Sequence, residues 1–489
     1  MTSAITTLPT ITGTPPTRLP LGRKLAWGVG GANDYLISMA VYSLVTPIFN
    51  VYLGLDVRLV GLAIAIPRLV DAFSDPIIGH LSDNTRSRWG RRRPWMLAGA
   101  LLSAVLIVLL WLPDKSWSPA WQFGWLLAIM MLYFPIAYSM YSIPYNAMGF
   151  DLTDDYDERT RVLTWRFYFG LSVALLMSWL YKIVRLPYFG GDEMAGSRVV
   201  SYVLAALFIA VALVPILLVP ERAERQNLPK AKMAGSLMEI SKNRSFLVLA
   251  LANLLLKCGI YLVGSFLFYI NLYYIGGGGE AGKDVAASVG GWSGMIQMGI
   301  GLLSMPLFVW ISRHTGKKSS VVFGLWGAAA GYLTLWWAMT PAHPYLQLLP
   351  FLFIGLMLNG CWVLIESIMA DVCDEDELRT GQRREGTYWS VLMWSDKVAM
   401  ALVTFLGAVL LSWAGYVEGP EQTPETMFNI RLMFVVLQAG GLFAGGLLLL
   451  VAFPLTRARA ADVRSQLAAR KETAKVVPAG AGVATVPAT

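Results

Sequence analysis

The sequence predicts an all-α membrane protein whose twelve transmembrane helices form two six-helix halves, and three observations carry that prediction. Of 489 residues, 56% are hydrophobic and only 14% charged, whereas a soluble chain carries roughly 25% charged residues, so lipid must cover much of this surface. Apolar windows of roughly 20 residues, enough to cross a hydrocarbon core of about 30 Å, recur along the whole chain. A polar and basic stretch, PERAERQNLPKAKMAGSLMEISKNR, divides those windows into two sets of six.

Taken in order, residues 1–22 are rich in Thr and Pro and lack the apolar core of a secretory leader, which predicts a disordered cytoplasmic tail. Spans centred on 23–53, 57–82, 95–112, 121–148, 161–183 and 198–219 make an N-terminal bundle over 23–219. Residues 220–243 are the cytoplasmic linker. Spans at 244–275, 286–312, 319–340, 346–372, 386–415 and 428–454 make a C-terminal bundle over 244–455. The stretch 456–489 mixes Ala, Arg, Lys and Val without a packing pattern, and it reads as a second disordered cytoplasmic tail.

Basic residues in short loops favour the cytoplasm. An inside N-terminus collects Arg86, Arg88, Arg91, Arg92, Arg93, Arg313, Lys317, Lys318, Arg379, Arg383, Arg384 and the linker on one side. The opposite loops, such as GGDEMAGS and GYVEGPEQTPET, are rich in Gly, Pro and acids. A plasma or inner membrane protein with both termini cytoplasmic follows. The net charge of +8 is spread in short runs between apolar stretches rather than along one face, which argues against nucleic-acid binding. Cys258, Cys361 and Cys373 lack metal-ligand spacing, and His80, His314 and His343 are scattered, so neither a zinc site nor a nucleophile–base pair is indicated. No filter-like sequence suggests a channel. An enzyme is therefore not expected, and no cofactor.

A charge at the centre of a spanning helix costs about 2.5 to 3.5 kcal/mol on insertion scales, so each one retained there asks for a function. Asp34, Asp71, Arg166 and Lys397 fall roughly 12 to 20 Å from the cytoplasmic surface at 1.5 Å per residue, and so converge near the midplane, where carriers bind cargo. Arg68, Asp71 and Asp75, in IPRLVDAFSDPIIGH, share one helix face through spacings of three and four. Two carboxylates one turn apart in a low dielectric must share a proton, pair with a cation such as Arg68, or bind a metal ion. Asp396 and Lys397 are neighbours in sequence and point to different sides of their helix, which turns Lys397 toward the carboxylates across the bundle. Lys257 and Glu366 are further intramembrane charges, placed either to neutralise one another or to contact cargo. In the fourth helix, Tyr138, Tyr141 and Tyr145 surround Ser142, Pro144 and Asn146, a mixture of apolar ring and polar rim that suits a sugar.

The loop GHLSDNTRSRWGRRRPW after the second helix, weakly repeated as ISRHTGKK after the eighth, resembles the short signature of the major facilitator superfamily. There an Asp and an Arg cluster clasp helix ends on the cytoplasmic side, a role that falls here on Asp83, Arg91 and Arg92. The longer stretches PRLVDAFSDPIIGHLSDNTRSRWGRRRPWML and MADVCDEDELRTGQRREGTYWSVLMWSDK resemble the glycoside-pentoside-hexuronide:cation symporters, the major-facilitator branch that includes the melibiose carriers. The likeness runs through all twelve helices. It implies a major facilitator fold and cation-coupled symport of a sugar or glycoside by alternating access, in a carrier that works as a monomer among membrane lipids.

Residue by residue, the resemblance implies that Asp71 and Asp75 bind the coupling ion, H+ or Na+, and that Asp34 and Arg166 contact sugar hydroxyls. Trp362 is the aromatic of the tenth helix, Lys397 is the lysine linked to the cation site, and Arg159 fits the pattern after the fourth helix. Asp371, Asp374, Glu377, Arg383 and Glu385 match the charges of the cytoplasmic gate. Two positions depart from the melibiose carriers, which hold an Asp where this chain has Ser142 and a Trp where it has Asn146. With Ser142 as third ligand, the expected cation site of Asp71, Asp75 and Ser142 is poorer in charge, favouring a proton over sodium. The expected cargo site comprises Asp34, Tyr138, Asn146, Arg166 and Trp362, with Arg68 and Lys397 coupling the two. The main alternative within the fold is a carrier of lysolipid or another amphiphile. From a different class, the alternative is a membrane receptor or enzyme with a buried polar site.

Overall fold

The computed structural model describes residues 19–153, 156–221, 242–381, 385–419 and 421–476, and every regular element among them is helical. In the first half, α1 is Leu21–Val45 and runs on through a π-helical stretch, Thr46–Tyr52. Then come α2 (Val57–Asn84) and α3 (Arg93–Leu109). Helix α4 begins as Pro119–Leu132, passes a π-helical turn at Tyr133–Tyr138 and resumes as Ser139–Asp151. Helices α5 (Tyr156–Met177) and α6 (Glu193–Leu218) complete the half.

The second half repeats the pattern with α7 (Arg244–Tyr269), α8 (Gly279–Gly299, continuing as Gly301–Thr315) and α9 (Lys317–Ala338). Helices α10 (Leu348–Thr380), α11 (Glu385–Trp413) and α12 (Pro424–Ala452) follow, and then α13 (Arg457–Val476). Several starts are capped as their sequences require. Asp192 Oδ1 accepts from the amides of Met194 and Ala195 at 2.9 and 3.2 Å, and Asn243 Oδ1 from Phe246 N at 3.1 Å, so orphan amide donors at the first turn are satisfied.

Nine of the described helices are long and apolar enough to cross a membrane. The other three spans fall short for identifiable reasons. Helix α3 has 17 residues, α2 carries Arg68, Asp71 and Asp75, and α5 carries Arg161 and Arg166. Each half has its own hydrophobic core, one built around Trp27, Phe49, Trp111 and Tyr133, the other around Tyr269, Phe308, Tyr332 and Phe434. Only near the loops opposite the chain ends do the cores exchange residues. Val57 of α2 joins the second core and Ala287 of α8 the first.

Because successive helices alternate in direction, one face carries the chain ends and is here called proximal. The proximal contacts repeat between halves. Arg91 and Arg92, before α3, hold Asp151 at the end of α4, Arg91 at 2.8 Å, and Arg93 donates to the carbonyl of Val219, which closes α6. In the second half Lys317 holds Asp371 of α10 at 2.6 Å, and Lys318 donates to the carbonyl of Phe453, which closes α12, at 2.8 Å. These proximal ion pairs each tie helices inside one half.

On the distal face the halves are joined to each other. Glu418 accepts from the Val57 amide at 3.0 Å, and Asn50 Oδ1 accepts from Tyr269 and Tyr416 hydroxyls at 2.6 and 2.9 Å. Arg185 pairs with Glu280 at 3.0 Å and Lys283 with Glu193 at 3.0 Å. Gly61 permits the closest approach of α2 to α11, since a Cβ there would stand 2.6 Å from that of Ala408. The chain has its distal side closed.

One expectation is corrected. The stretch beginning at 456 is helical over Arg457–Val476, and it lies on α10 through Arg464–Asp371 and Arg459–Glu375 pairs of 3.2 Å. Ala460, Val463 and Leu467 are its buried stripe, at spacings of three and four. Its low hydrophobicity hid a one-sided amphipathic helix.

Candidate functional site

One cluster of charges at membrane depth, Arg68, Asp71, Asp75 and Lys397, lies where α2, α4 and α11 meet. Asp71 is fully buried, and its Oδ2 takes Arg68 Nη1 at 3.2 Å and Lys397 Nζ at 3.0 Å. Lys397 also contacts Asp75 Oδ2. Lys397 comes from the other half of the molecule, so this ion pair crosses the division between the two bundles. Arg68 donates to the Tyr42 hydroxyl and lies over Phe134, with its guanidinium carbon 3.9 Å from the ring centroid. A planar, delocalised cation is suited to that aromatic face.

Ser139 Oγ stands 2.7 Å from Asp71 Oδ1 and 2.7 Å from Asp75 Oδ1. A hydroxyl owns one hydrogen and can donate to one of these oxygens only, so the second short O···O contact needs a proton on the carboxyl or a bridging cation. Ser142, expected as the third ligand, is elsewhere. Its Oγ accepts from Asn146 Nδ2 at 3.2 Å. Both serines lie at a depth that matches the carboxylates, and rotation of the helix decides between them. The π-helical turn at Tyr133–Tyr138 inserts a residue and so turns everything after it by about 100°, which sequence periodicity cannot register.

Asp34 and Arg166 form an ion pair of 2.9 Å between α1 and α5. The second Asp34 oxygen and Arg166 Nε are buried without hydrogen-bond partners among the described residues. These are the acceptor and donor that a polyhydroxyl ligand needs. Arg166 keeps 30% side-chain exposure, so the pair borders water. Tyr138 lies near the Arg68 guanidinium at 5.7 Å, while Asn146 turns back to its own helix and donates to the Ser142 carbonyl at 2.8 Å. Tyr141 and Tyr145, read from sequence as a sugar-facing set, are fully buried, with hydroxyls on the carbonyls of Gly30 and Trp27 at 3.0 and 2.9 Å. They pack α1 onto α4.

Across the division, Trp362 of α10 carries Lys257 Nζ 5.1 Å from its ring. Lys257 pairs with Asp396 rather than with Glu366, and Asn253 donates to the other Asp396 oxygen at 2.8 Å. Asp396 and its neighbour Lys397 thus serve opposite sides of α11.

On the proximal face, Asp83 meets Arg92 at 3.3 Å. Glu221 accepts from the amides of Arg91, Arg92 and Arg93 at 2.8, 3.0 and 2.9 Å, seated on the positive end of α3. Sequence reading missed Asp151 and Glu221, although an acid at the end of each even-numbered helix of the first half was a legible counterpart to the Arg cluster. Asp371 has Lys317 and Arg464, while Asp374 and Glu377 lie on the last turns of α10 and are engaged as well. Arg383 lies outside the described residues, as do the side chains of Arg159 and Glu385.

Residues 27–457 match the family described as MFS/sugar transport protein. The chain is 28% identical to the uncharacterized symporter sll1374 of Synechocystis sp., the match covering 93% of this chain and 98% of the relative. It is 24% identical to the putative glycoside/cation symporter YagG of Escherichia coli, over 92% of this chain and 95% of the relative. Among solved structures, a D-xylose-proton symporter has the same fold, with a TM-score of 0.62 at 16% identity over 89% of this chain and 98% of that one.

Proposed function

The chain belongs to the MFS/sugar transport protein family, and on that premise we propose that it is a secondary active carrier which moves a sugar or glycoside together with a monovalent cation. Asp71 and Asp75 hold the ion, and Asp34 and Arg166 hold cargo hydroxyls, with Trp362 offering a ring face from the other half. The observation that carries this reading is Lys397, which spans from the second half onto the carboxylate pair of the first. When an ion neutralises the pair, Lys397 loses its partners, the tie between halves weakens, and the two bundles are free to rock about the central site.

The coupling ion is a proton in this reading. Arg68 and Lys397 already occupy Asp71 Oδ2, and Lys397 also Asp75 Oδ2, so a sodium ion seeking several oxygen ligands meets two fixed cations. The single hydrogen of Ser139 between two carboxylate oxygens leaves a place for one more proton. The carrier lies in the plasma or inner membrane as a monomer, proximal face to the cytoplasm, with Asp83, Arg91, Arg92, Asp371, Asp374 and Glu377 in the inner gate. Uptake into vesicles under an imposed pH gradient without sodium, set against a sodium gradient at equal pH, tests the coupling. Accumulation driven by sodium alone would overturn the proton.

A further inference from the structure

Helix α10 places Glu366 one turn beyond Trp362, and it is the carboxylate the site described above does not use. It is solvent-exposed, yet Tyr35 of α1, Arg166 of α5 and Lys257 of α7 are all within charge–charge range of it. Trp362, one turn away on the same face of α10, has Lys257 5.1 Å from its ring, so with groups of α1, α5 and α7 beside it Glu366 is turned toward the site between the two halves. Among the described residues it has no ion pair and no hydrogen bond.

The neighbouring cations are spoken for. Arg166 is held by Asp34 at 2.9 Å, Lys257 by Asp396, and Arg68 and Lys397 by the Asp71–Asp75 pair. Among the described residues four cations therefore face four carboxylates, and Glu366 is a fifth carboxyl with no cation of its own. An ionised group at membrane depth persists where water or a ligand satisfies it. Its two oxygens are acceptors only, suited to the paired hydroxyls of a polyol. A carboxylate or sulfonate on the cargo would find no unengaged cation there and would meet Glu366 as a like charge.

We propose that Glu366 is the charge filter of the cargo site, accepting hydrogen bonds from an uncharged sugar and turning away sugars that bear a carboxylate or sulfonate. The proposal rests on the sugar-carrier reading and narrows it to neutral cargo. The same count explains the ion. With one proton or other monovalent cation bound at Asp71 and Asp75, the five carboxylates are matched, and the cavity carrying a neutral sugar has no net charge.

The test uses the full-length protein in detergent and in liposomes, with glycosides that differ only at C6, namely methyl glucoside against methyl glucuronide and the corresponding galactose pair, together with methyl xyloside. Wild-type protein should be stabilised by at least one neutral glycoside and not by its uronide partner. Glu366→Gln should weaken neutral-glycoside binding about tenfold or more and raise uronide binding on the order of tenfold, since like-charge juxtaposition is removed. Glu366→Asp, which keeps the charge, should preserve the discrimination and serves as the folding control. Wild-type binding of a uronide at least as tightly as its neutral partner overturns the filter alone. Retention of the full neutral preference in Glu366→Gln also overturns it, and loss of pH-driven uptake there at unchanged affinities would make Glu366 a coupling group instead. A wild-type protein that binds neither class overturns the sugar reading and the filter with it.

Discussion

Ser139 is the residue on which the chemistry of the carboxylate pair turns, because its hydroxyl touches both Asp71 and Asp75 at 2.7 Å while Ser142 touches neither. Hydrogen bonds to charged groups contribute about 1.5 to 3 kcal/mol. Ser139→Ala should therefore weaken coupling about tenfold to a hundredfold, read as the proton concentration needed for half-maximal uptake, whereas Ser142→Ala should stay near wild type. The reverse ranking would return the role to Ser142. Asp71→Asn and Asp75→Asn keep shape and lose the charge, so both should abolish accumulation against a gradient while facilitated exchange of cargo survives. Normal accumulation in both variants would remove the pair from coupling. Replacing Asp34 or Arg166 by Ala should lower cargo affinity more than ion affinity, and equal losses would argue that the pair only holds α1 to α5. The carboxylates themselves were legible because a charge inside an apolar run is costly and rare. A serine in such a run is common, and nothing local distinguishes Ser139 from Ser142.

Helix α2 shows how an element can be built for close approach at one end and for chemistry in the middle. Gly61 lets it meet α11 near the distal face, where a Cβ would lie 2.6 Å from that of Ala408. Overpacking of a tight contact costs about 1 to 3 kcal/mol. Gly61→Val should consequently disfavour the distal-closed arrangement and raise labelling of distal-side cysteine probes about tenfold, and unchanged labelling would mean that the seam is set elsewhere. Helix α13 was misread as a tail because most of its residues are polar. Its buried stripe of Ala460, Val463 and Leu467 is short, and its meaning depends on α10 being there to receive it. The spans α2 and α5 illustrate the complementary point, since Arg68, Asp71, Asp75 and Arg166, which lower their apolarity, are charges of the candidate site.

At the scale of the whole molecule, the proximal ion pairs of Asp151 and Asp371 described above repeat within each half, while distal pairs such as Arg185–Glu280 and Lys283–Glu193 bridge the halves. Glu193 is the distal hinge of that seam, 2% exposed and paired with both Arg185 at 3.2 Å and Lys283 at 3.0 Å. Removing one partner of a buried ion pair costs about 3 to 5 kcal/mol. Glu193→Gln should therefore shift the population toward distal-open forms and lower the uptake rate more than cargo affinity; a loss confined to affinity would contradict the seam role. Membrane residence, twelve spans, the division into halves and the carboxylate pair were all determined by composition and spacing, because the cost of charge and bare backbone in lipid acts on each segment alone. Partner choice was decided only by packing: Ser139 over Ser142, Asp396 over Glu366 for Lys257, and α10 as the seat of α13. Those choices depend on the rotation of each helix about its axis and on which helix stands beside it, and rotation is set by the π-helical turn of α4 and by contacts between residues as far apart in the chain as Asp75 and Lys397.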